Sequence, residues 1–335
     1  MSTQQGKFDL EELRGTIAVV TGAGNNGIGW GICRHAAGIL GMHVVAVDLH
    51  QSLVESAQDR LRSSFPAVRS LGVQCDVTKP ESVDECLQKI QRELPGLRIG
   101  AVFANAGVIF NHTILRSSID EWATTLSVNV IGVVNTIKAF VPILLQQGTP
   151  AVFSSTASIG GLVRGDGGGA AYQASKHAVV ALTESLSFEL ARRSPFLRVH
   201  VLCPCIVQSA LGKTSALNAS VRNGDFDAAD VTPSDTGAMV FAMSTERHAE
   251  QIFDHIAAGN FYMITDNVRP YVDHDFPFDG LELVRERYQN LLNLTLDNSD
   301  AMSESRSGPP SSILKGPMFQ ELRRRGEASE GVAKQ

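Results

Sequence analysis

The chain has 335 residues and a formal net charge of −6, with 43% hydrophobic and 19% charged residues. That length and composition suit a globular protein with one large α/β domain or two small ones. The acidic balance gives no electrostatic reason to expect nucleic acid or an anionic membrane as partner. The one compact basic cluster, Arg323-Arg324-Arg325, lies in a polar tail and reads as solvated.

The first twelve residues are polar and lack the basic start and apolar core of a secretion signal. No apolar stretch is expected to reach the ~20 residues that span a bilayer, and the C-terminus is not a peroxisomal address. The five cysteines are scattered and read as unbridged thiols in a reducing compartment. The expected location is cytoplasmic. No metal site is expected: Cys203-Pro204-Cys205 is too short for a zinc knuckle, and His248 and His255 read as a pair on a helix surface.

Short β-branched runs alternate with longer amphipathic ones. The spacing predicts a strand at 16–20, a glycine-rich turn at 21–29 and a helix over 28–40. Glycines between strand and helix let backbone amides approach a pyrophosphate, and the helix N-terminus adds partial positive charge. Gly22, Gly24, Asn26, Gly27, Ile28 and Gly29 are therefore cofactor candidates. A second strand, 43–48, ends at Asp48, 19 residues after Gly29. A carboxylate there accepts hydrogen bonds from ribose hydroxyls and repels a 2′-phosphate. With no Arg or Lys in the two residues that follow, NAD is expected over NADP.

Further elements are a helix at 53–63, a strand ending at 75–76, and a helix opening at Pro80. A strand at 99–105 precedes a long helix over 120–145, bent or ended near Pro142. Then come strands at 151–155, 198–203 and 261–265, with helices to 193 and over 233–258 between them. This alternation predicts an α/β, Rossmann-type doubly wound parallel sheet of about seven strands with helices on both faces. It also predicts an N-terminal arm (1–13), one domain (14–295) with substrate loops near 205–232 and 266–290, and a polar, disordered tail (296–335).

Tyr172 and Lys176 lie four residues apart in a helix-tolerant stretch, which stacks them on one helix face. An ammonium beside a phenol stabilises phenolate. A free Tyr titrates near ~10, so work as a base at neutral pH needs a fall of ~2–3 units.

With these pieces placed, the chain resembles the short-chain dehydrogenase/reductase family over about residues 14–265. The resemblance rests on the turn at 21–29, Cys75-Asp76-Val77, Ala104-Asn105-Ala106-Gly107, Asn129-Val130-Ile131-Gly132, the serine-bearing run 156–161, and Tyr172 with Lys176, all in order. It implies that Asp76 and Val77 contact adenine and that Asn105, Ala106 and Gly107 floor the adenosine ribose. It implies Tyr172 as acid/base. Lys176 would hold the nicotinamide ribose and lower the Tyr172 pKa, and Asn129 would support a proton relay through water. Pro204, Val207 and Ser209 would meet the nicotinamide amide and the phosphates.

For the catalytic serine, Ser158 lies 14 residues before Tyr172 and Ser155 lies 17 before it; Ser158 is preferred. Ser154 and Ser155 better suit a role in satisfying strand-end backbone. Ser158, Ile159, Gly160, Tyr172 and Cys205 are the candidate substrate contacts. The turn holds four residues between Gly22 and Gly27, one more than the family pattern, and Cys205 stands where a glycine is usual. The loop 164–169 is expected to be mobile. The implied reaction is hydride transfer between a small-molecule alcohol or ketone, apolar by the look of the flanking segments, and NAD. Epimerisation or dehydration with bound NAD, and a nucleotide sensor, stay open as alternatives. The family commonly forms homodimers or homotetramers.

Overall fold

Seven β-branched runs form the strands, and all pair in parallel. They are β1 (Ile17–Thr21), β2 (His43–Asp48), β3 (Ser70–Gln74), β4 (Ile99–Ala104), β5 (Ala151–Thr156), β6 (Leu197–Pro204) and β7 (Tyr262–Thr265). The order across the sheet is β3-β2-β1-β4-β5-β6-β7. Every residue of β1, β4 and β5 is buried, which is why these strands carry apolar runs instead of alternation. The computed structural model describes residues 6–162, 169–191, 194–209, 211 and 242–265, all within the unit Gln5–Arg269.

The helices are α1 (Ile28–Gly38), α2 (Gln51–Ser64), α3 (Pro80–Glu93), α4 (Ile119–Leu126), α5 (Gly132–Gln147), α6 (Ala170–Leu190) and α7 (Thr245–Ala258). Helices α1, α2 and α7 share one face of the sheet, where Phe253 of α7 stacks on His35 and meets Phe103 edge-on. α1 and α7 approach closely at Gly31, where a Cβ would lie 2.5 Å from the Thr245 carbonyl oxygen. Phe103, Phe253 and Ile32 are fully buried here. Each contributes about 1.5–3 kcal/mol relative to exposure. Phe8 and Leu13, set within the expected arm, pack into the same core, and the Phe8 amide donates to the Ala257 carbonyl. Helices α3, α5 and α6 cover the opposite face.

The expected helix at 120–145 differs in three ways. It starts at a Ser118–Glu121 capping box. It carries a π-helical segment, Ser127–Ile131, between α4 and α5. It also runs through Pro142, which only forfeits an amide to the Lys138 carbonyl, and ends at Gly148 in the left-handed region, φ 62°. The continuous run Ile119–Gln147 contains an 18-residue window of mean hydropathy 1.8, so a stretch long and apolar enough to span a membrane does exist. Much of its apolar face is spent on the protein itself: Val133, Phe140, Val141 and Leu144 are buried.

His248 departs from the surface pairing expected of it. It faces inward on α7 and is fully buried, whereas His255 bonds the Ile264 carbonyl. The helix expected from 233 begins at Ser244, the N-cap of α7; residues 233–241 lie outside the described residues. So do 163–168, most of the substrate loops and the tail.

Candidate functional site

β1 has neighbours β2 and β4 that the chain reaches in opposite directions, and a cleft opens there at the carboxyl ends of the strands. With the open solvent at its mouth included, it holds about 1030 Å³ of space not filled by protein atoms. Its first wall is the turn after β1. Gly22 has φ +66°, and a Cβ on it would lie 2.8 Å from Ala106 Cα, so only glycine fits. The Thr21 hydroxyl accepts the amides of Asn105 (2.9 Å) and Ala106 (3.0 Å). Asn105 Nδ2 donates back to the Thr21 carbonyl, and Thr156 Oγ1 donates to Asn105 Oδ1. These bonds lace the ends of β1, β4 and β5 into one floor.

Asp48 stands across from the turn. Its Oδ2 accepts the Gly24 amide (2.9 Å) and its Oδ1 the Leu49 amide (2.8 Å). A Cβ at Gly24 would fall 2.6 Å from Leu53 Cβ and 3.0 Å from Asp48 Cβ. Burial raises the Asp48 carboxyl pKa, and the two amides oppose that rise. Asp76 is largely engaged by its own loop: Thr78 donates through its amide and its hydroxyl to Oδ1, and Lys79 pairs with Oδ2.

Gly22, Gly27, Ile28, Asp48, Asp76, Val77, Asn105, Ala106 and Gly107 border the cleft, as do Tyr172, Lys176, Pro204 and Ser209. Gly24, Asn26 and Gly29 belong to the turn but stand outside the cleft wall. Val207 also stays out of it and forms a bridge with Met243. The Cys205 amide extends the β6–β7 pairing to Thr265. Ser209 faces the turn across the cleft, 3.8 Å from where a Gly27 Cβ would be.

Tyr172 and Lys176 sit in the first two turns of α6. The Tyr172 hydroxyl bonds the Ser158 side chain. Ser158 also caps the short 3-10 turn Ile159–Gly161 through the Gly160 amide (3.1 Å). Ser154 and Ser155 point into the core and find no partner among the described residues, contrary to the backbone role expected of them. Lys176 Nζ lies 5.4 Å from the centroid of the Tyr172 ring and donates to the Thr156 carbonyl (2.7 Å).

The expected fall in the Tyr172 pKa is absent from the protein by itself. Burial raises it, and the bond from Ser158 opposes that only in part. Lys176, only 3% exposed, is pulled down to about 8 by burial. Desolvation penalises both charged forms, and it outweighs their mutual help while the ammonium is engaged by a carbonyl.

Asn129 sits in the π-helical segment, a distortion often found at functional positions. Its Oδ1 accepts the Val108 amide (2.8 Å), and its Nδ2 donates to the Val108 carbonyl (3.0 Å) and to Ser175 Oγ (2.9 Å). Ser175 in turn donates to the Tyr172 carbonyl (2.6 Å). A Cβ on Gly107 would lie 3.2 Å from Asn129 Oδ1 and 3.4 Å from Lys176 Nζ, so both polar groups border the same small space. Sequence reasoning missed Thr21, Thr156 and Ser175 as supports. Their partners are far away in the chain, and no local signal marks them.

The donor set fits a dinucleotide: an open glycine turn at a helix N-terminus, a carboxylate at the end of β2, and a long cleft leading to a Tyr–Ser–Lys cluster. A sequence model of the family described as short chain dehydrogenase matches residues 16–219. The chain belongs to that family. This dehydrogenase/reductase is 31% identical over 205 residues to a CLA biosynthesis dehydrogenase/reductase of Lactiplantibacillus plantarum, covering 61% of this chain and 69% of that one. It is 33% identical over 193 residues to a meso-2,3-butanediol dehydrogenase of Serratia marcescens, covering 58% and 72%. A solved short chain dehydrogenase/reductase from Burkholderia phymatum in complex with NAD superposes with TM-score 0.69 at 28% identity, covering 89% of this chain and 98% of that one. The chain is therefore an oxidoreductase of a family that uses NAD(P).

Proposed function

We propose that this dehydrogenase/reductase interconverts a secondary alcohol and its ketone, with NAD preferred and Tyr172 as acid/base. The observation that carries the reading is the Tyr172 hydroxyl, bonded to Ser158, with the Lys176 ammonium over its ring at the cleft. When bound, the dinucleotide supplies a nicotinamide ring that accepts or returns hydride.

The residues of this chain do the rest. In oxidation, Tyr172 Oη takes the hydroxyl proton of the substrate; in reduction it gives that proton back. Ser158 Oγ donates to the substrate oxygen where negative charge develops. Lys176, already dehydrated, provides positive charge beneath the ring and hydroxyl-binding capacity toward the ribose. Asn129 fixes Val108 and, through Ser175, the backbone of Tyr172. Asp48 offers its remaining lone pairs to the adenosine ribose, the basis for preferring NAD. The relative from Serratia marcescens is a butanediol dehydrogenase, which supports a CH–OH substrate here, and Val108 on the cleft wall favours an apolar one.

The π-helical segment and α6 leave Ile131 and Phe188 about half exposed, apolar surface that a second copy would cover in a homodimer or homotetramer. None of the five cysteines forms a disulfide, which supports a cytoplasmic location.

The test is a panel of secondary alcohols and ketones with NAD(H) and NADP(H), run on the wild type and on Tyr172→Phe. Tyr172→Phe should lose about 10²–10⁴-fold in turnover yet keep NADH affinity. Retained turnover would remove Tyr172 from the chemistry, and a strong NADP preference would overturn the reading of Asp48.

A further inference from the structure

The turn after β1 is one residue longer than the family pattern, and the structure shows what holds the longer turn in place. Asn26 occupies the last position before Gly27. Its Oδ1 accepts a hydrogen bond from Arg60 Nη2 at 2.5 Å. Arg60 lies on α2, 34 residues further along the chain. Its guanidinium carbon stands 3.7 Å from the centroid of the Trp30 ring, and Trp30 is 6% exposed in the first turn of α1. A planar cation flat on an indole face keeps its edge free to donate, so stacking and the hydrogen bond act together.

Among the described residues no carboxylate pairs with Arg60. Its nearest cationic influence, Arg34, is taken up by Glu246 at 2.5 Å. A guanidinium with no carboxylate partner among the described residues thus stands partly buried behind the turn read here as the phosphate site. The three groups come from the turn, the helix that follows it and the helix after β2, so the clasp ties the turn to both helices beside it.

We propose that Arg60 is a positioning residue for the dinucleotide: stacked on Trp30, it clasps Asn26 and holds the lengthened glycine turn in the phosphate-binding shape before the cofactor arrives. The proposal rests on reading this turn as the dinucleotide site. A turn shaped beforehand spares the cofactor the cost of ordering it, so the clasp acts on affinity and leaves the hydride step untouched. Arg60 does not border the cleft, and no direct contact with substrate is involved.

The experiment measures NADH affinity by fluorescence titration, kcat and KM for NAD, and Tm, for wild type, Arg60→Met, Arg60→Lys, Asn26→Ala and the Arg60→Met/Asn26→Ala double variant. Arg60→Met and Asn26→Ala should each weaken NADH binding about tenfold and raise KM for NAD in parallel, with kcat at saturation within about twofold of wild type. The double variant should bind no worse than Arg60→Met alone, because both remove the same clasp. Arg60→Lys should recover little, since an ammonium cannot lie flat on Trp30 and donate sideways. If Arg60→Met does not fold, Asn26→Ala decides, as it leaves the stack on Trp30 intact. NADH affinity within twofold of wild type in Asn26→Ala, or losses that multiply in the double variant, would overturn the clasp. A wild type that binds neither NADH nor NADPH would instead sink the dinucleotide reading of the turn, and the clasp with it.

Discussion

The two halves of the cleft are built by different means. On the β2–β1–β4 side the groups facing the cleft are mostly backbone: the turn at Gly22, the amides that hold Asp48, and the floor laced by Thr21 and Asn105. On the β5–β6 side the protein buries ionisable side chains instead. Tyr172 is pushed up and Lys176 is held near 8; away from the cleft, burial holds His200 and His248 near 4 in the same way. The first half is shaped by steric fit, and its one strongly dehydrated carboxyl, Asp48, is offset by two amides before any ligand binds. The second half carries a desolvation cost, and only added positive charge beside Tyr172 would bring its phenol down to a working range.

The largest expected effect is the loss of about 10²–10⁴-fold in turnover for Tyr172→Phe, given above. If that variant left catalysis intact, the second half would be no catalytic site and the contrast would lose its meaning.

The buried histidines come next. Both titrate near 4 in the fold and near ~6.5 in an unfolded chain. Between those values the unfolded chain binds more protons, so stability is fully present above ~6.5 and drains away as pH falls toward 4. Each site contributes up to about 3 kcal/mol across that window. Thermal unfolding followed from pH 7 to pH 4.5 should show a steep fall in Tm, and His248→Leu should flatten it. An unchanged slope would show that His248 is not held neutral.

Lys176 gives a similar test on the alkaline side. A folded value near 8 against an ordinary value near ~10.5 means the unfolded chain binds more protons between them. Wild-type stability should therefore rise from pH 8 to pH 10.5. Relative to Lys176→Met, the wild type should gain about 3 kcal/mol across that window, read from denaturant midpoints. A flat difference would mean that the ammonium is solvated, and the two halves would then differ less than the burial suggests.

The smallest effect sharpens the comparison at its seam. Gly107→Ala places a methyl beside Asn129 Oδ1 and Lys176 Nζ, at distances where the neighbours must yield by a few tenths of an ångström. It should cost only about 1 kcal/mol in stability. It should lower kcat more than it raises KM for NAD. An effect on KM alone would place Gly107 with the dinucleotide half.

Some features were readable because they are local. Apolar runs that alternate with amphipathic ones placed six strands to within about a residue, as β4 and β5 show, and the end of β3 to within two. The glycine turn and the Tyr172–Lys176 spacing are contiguous patterns set by backbone geometry. Thr21, Thr156 and Ser175 were not readable as supports, since each earns its role from a partner brought in by the sheet or by a neighbouring helix. His248 looked like a surface residue because its burial depends on what α7 packs against. The upward push of burial on the Tyr172 phenol was not readable for a related reason: spacing shows which charges are neighbours, but not how much water has been removed from them.

Taken alone, the sequence determined the strand and helix order, the open glycine turn after the first strand and the placing of Tyr172 and Lys176 on one helix face. All of these follow from the stereochemistry of neighbouring residues. Tertiary structure decided the rest: the approach of Ser158 to Tyr172, the tie from Asn129 to Ser175, the bond from Arg60 to Asn26, and the upward push of burial on the phenol. Those depend on distance and dehydration between residues remote in the chain, and both quantities exist only once the sheet has closed the core.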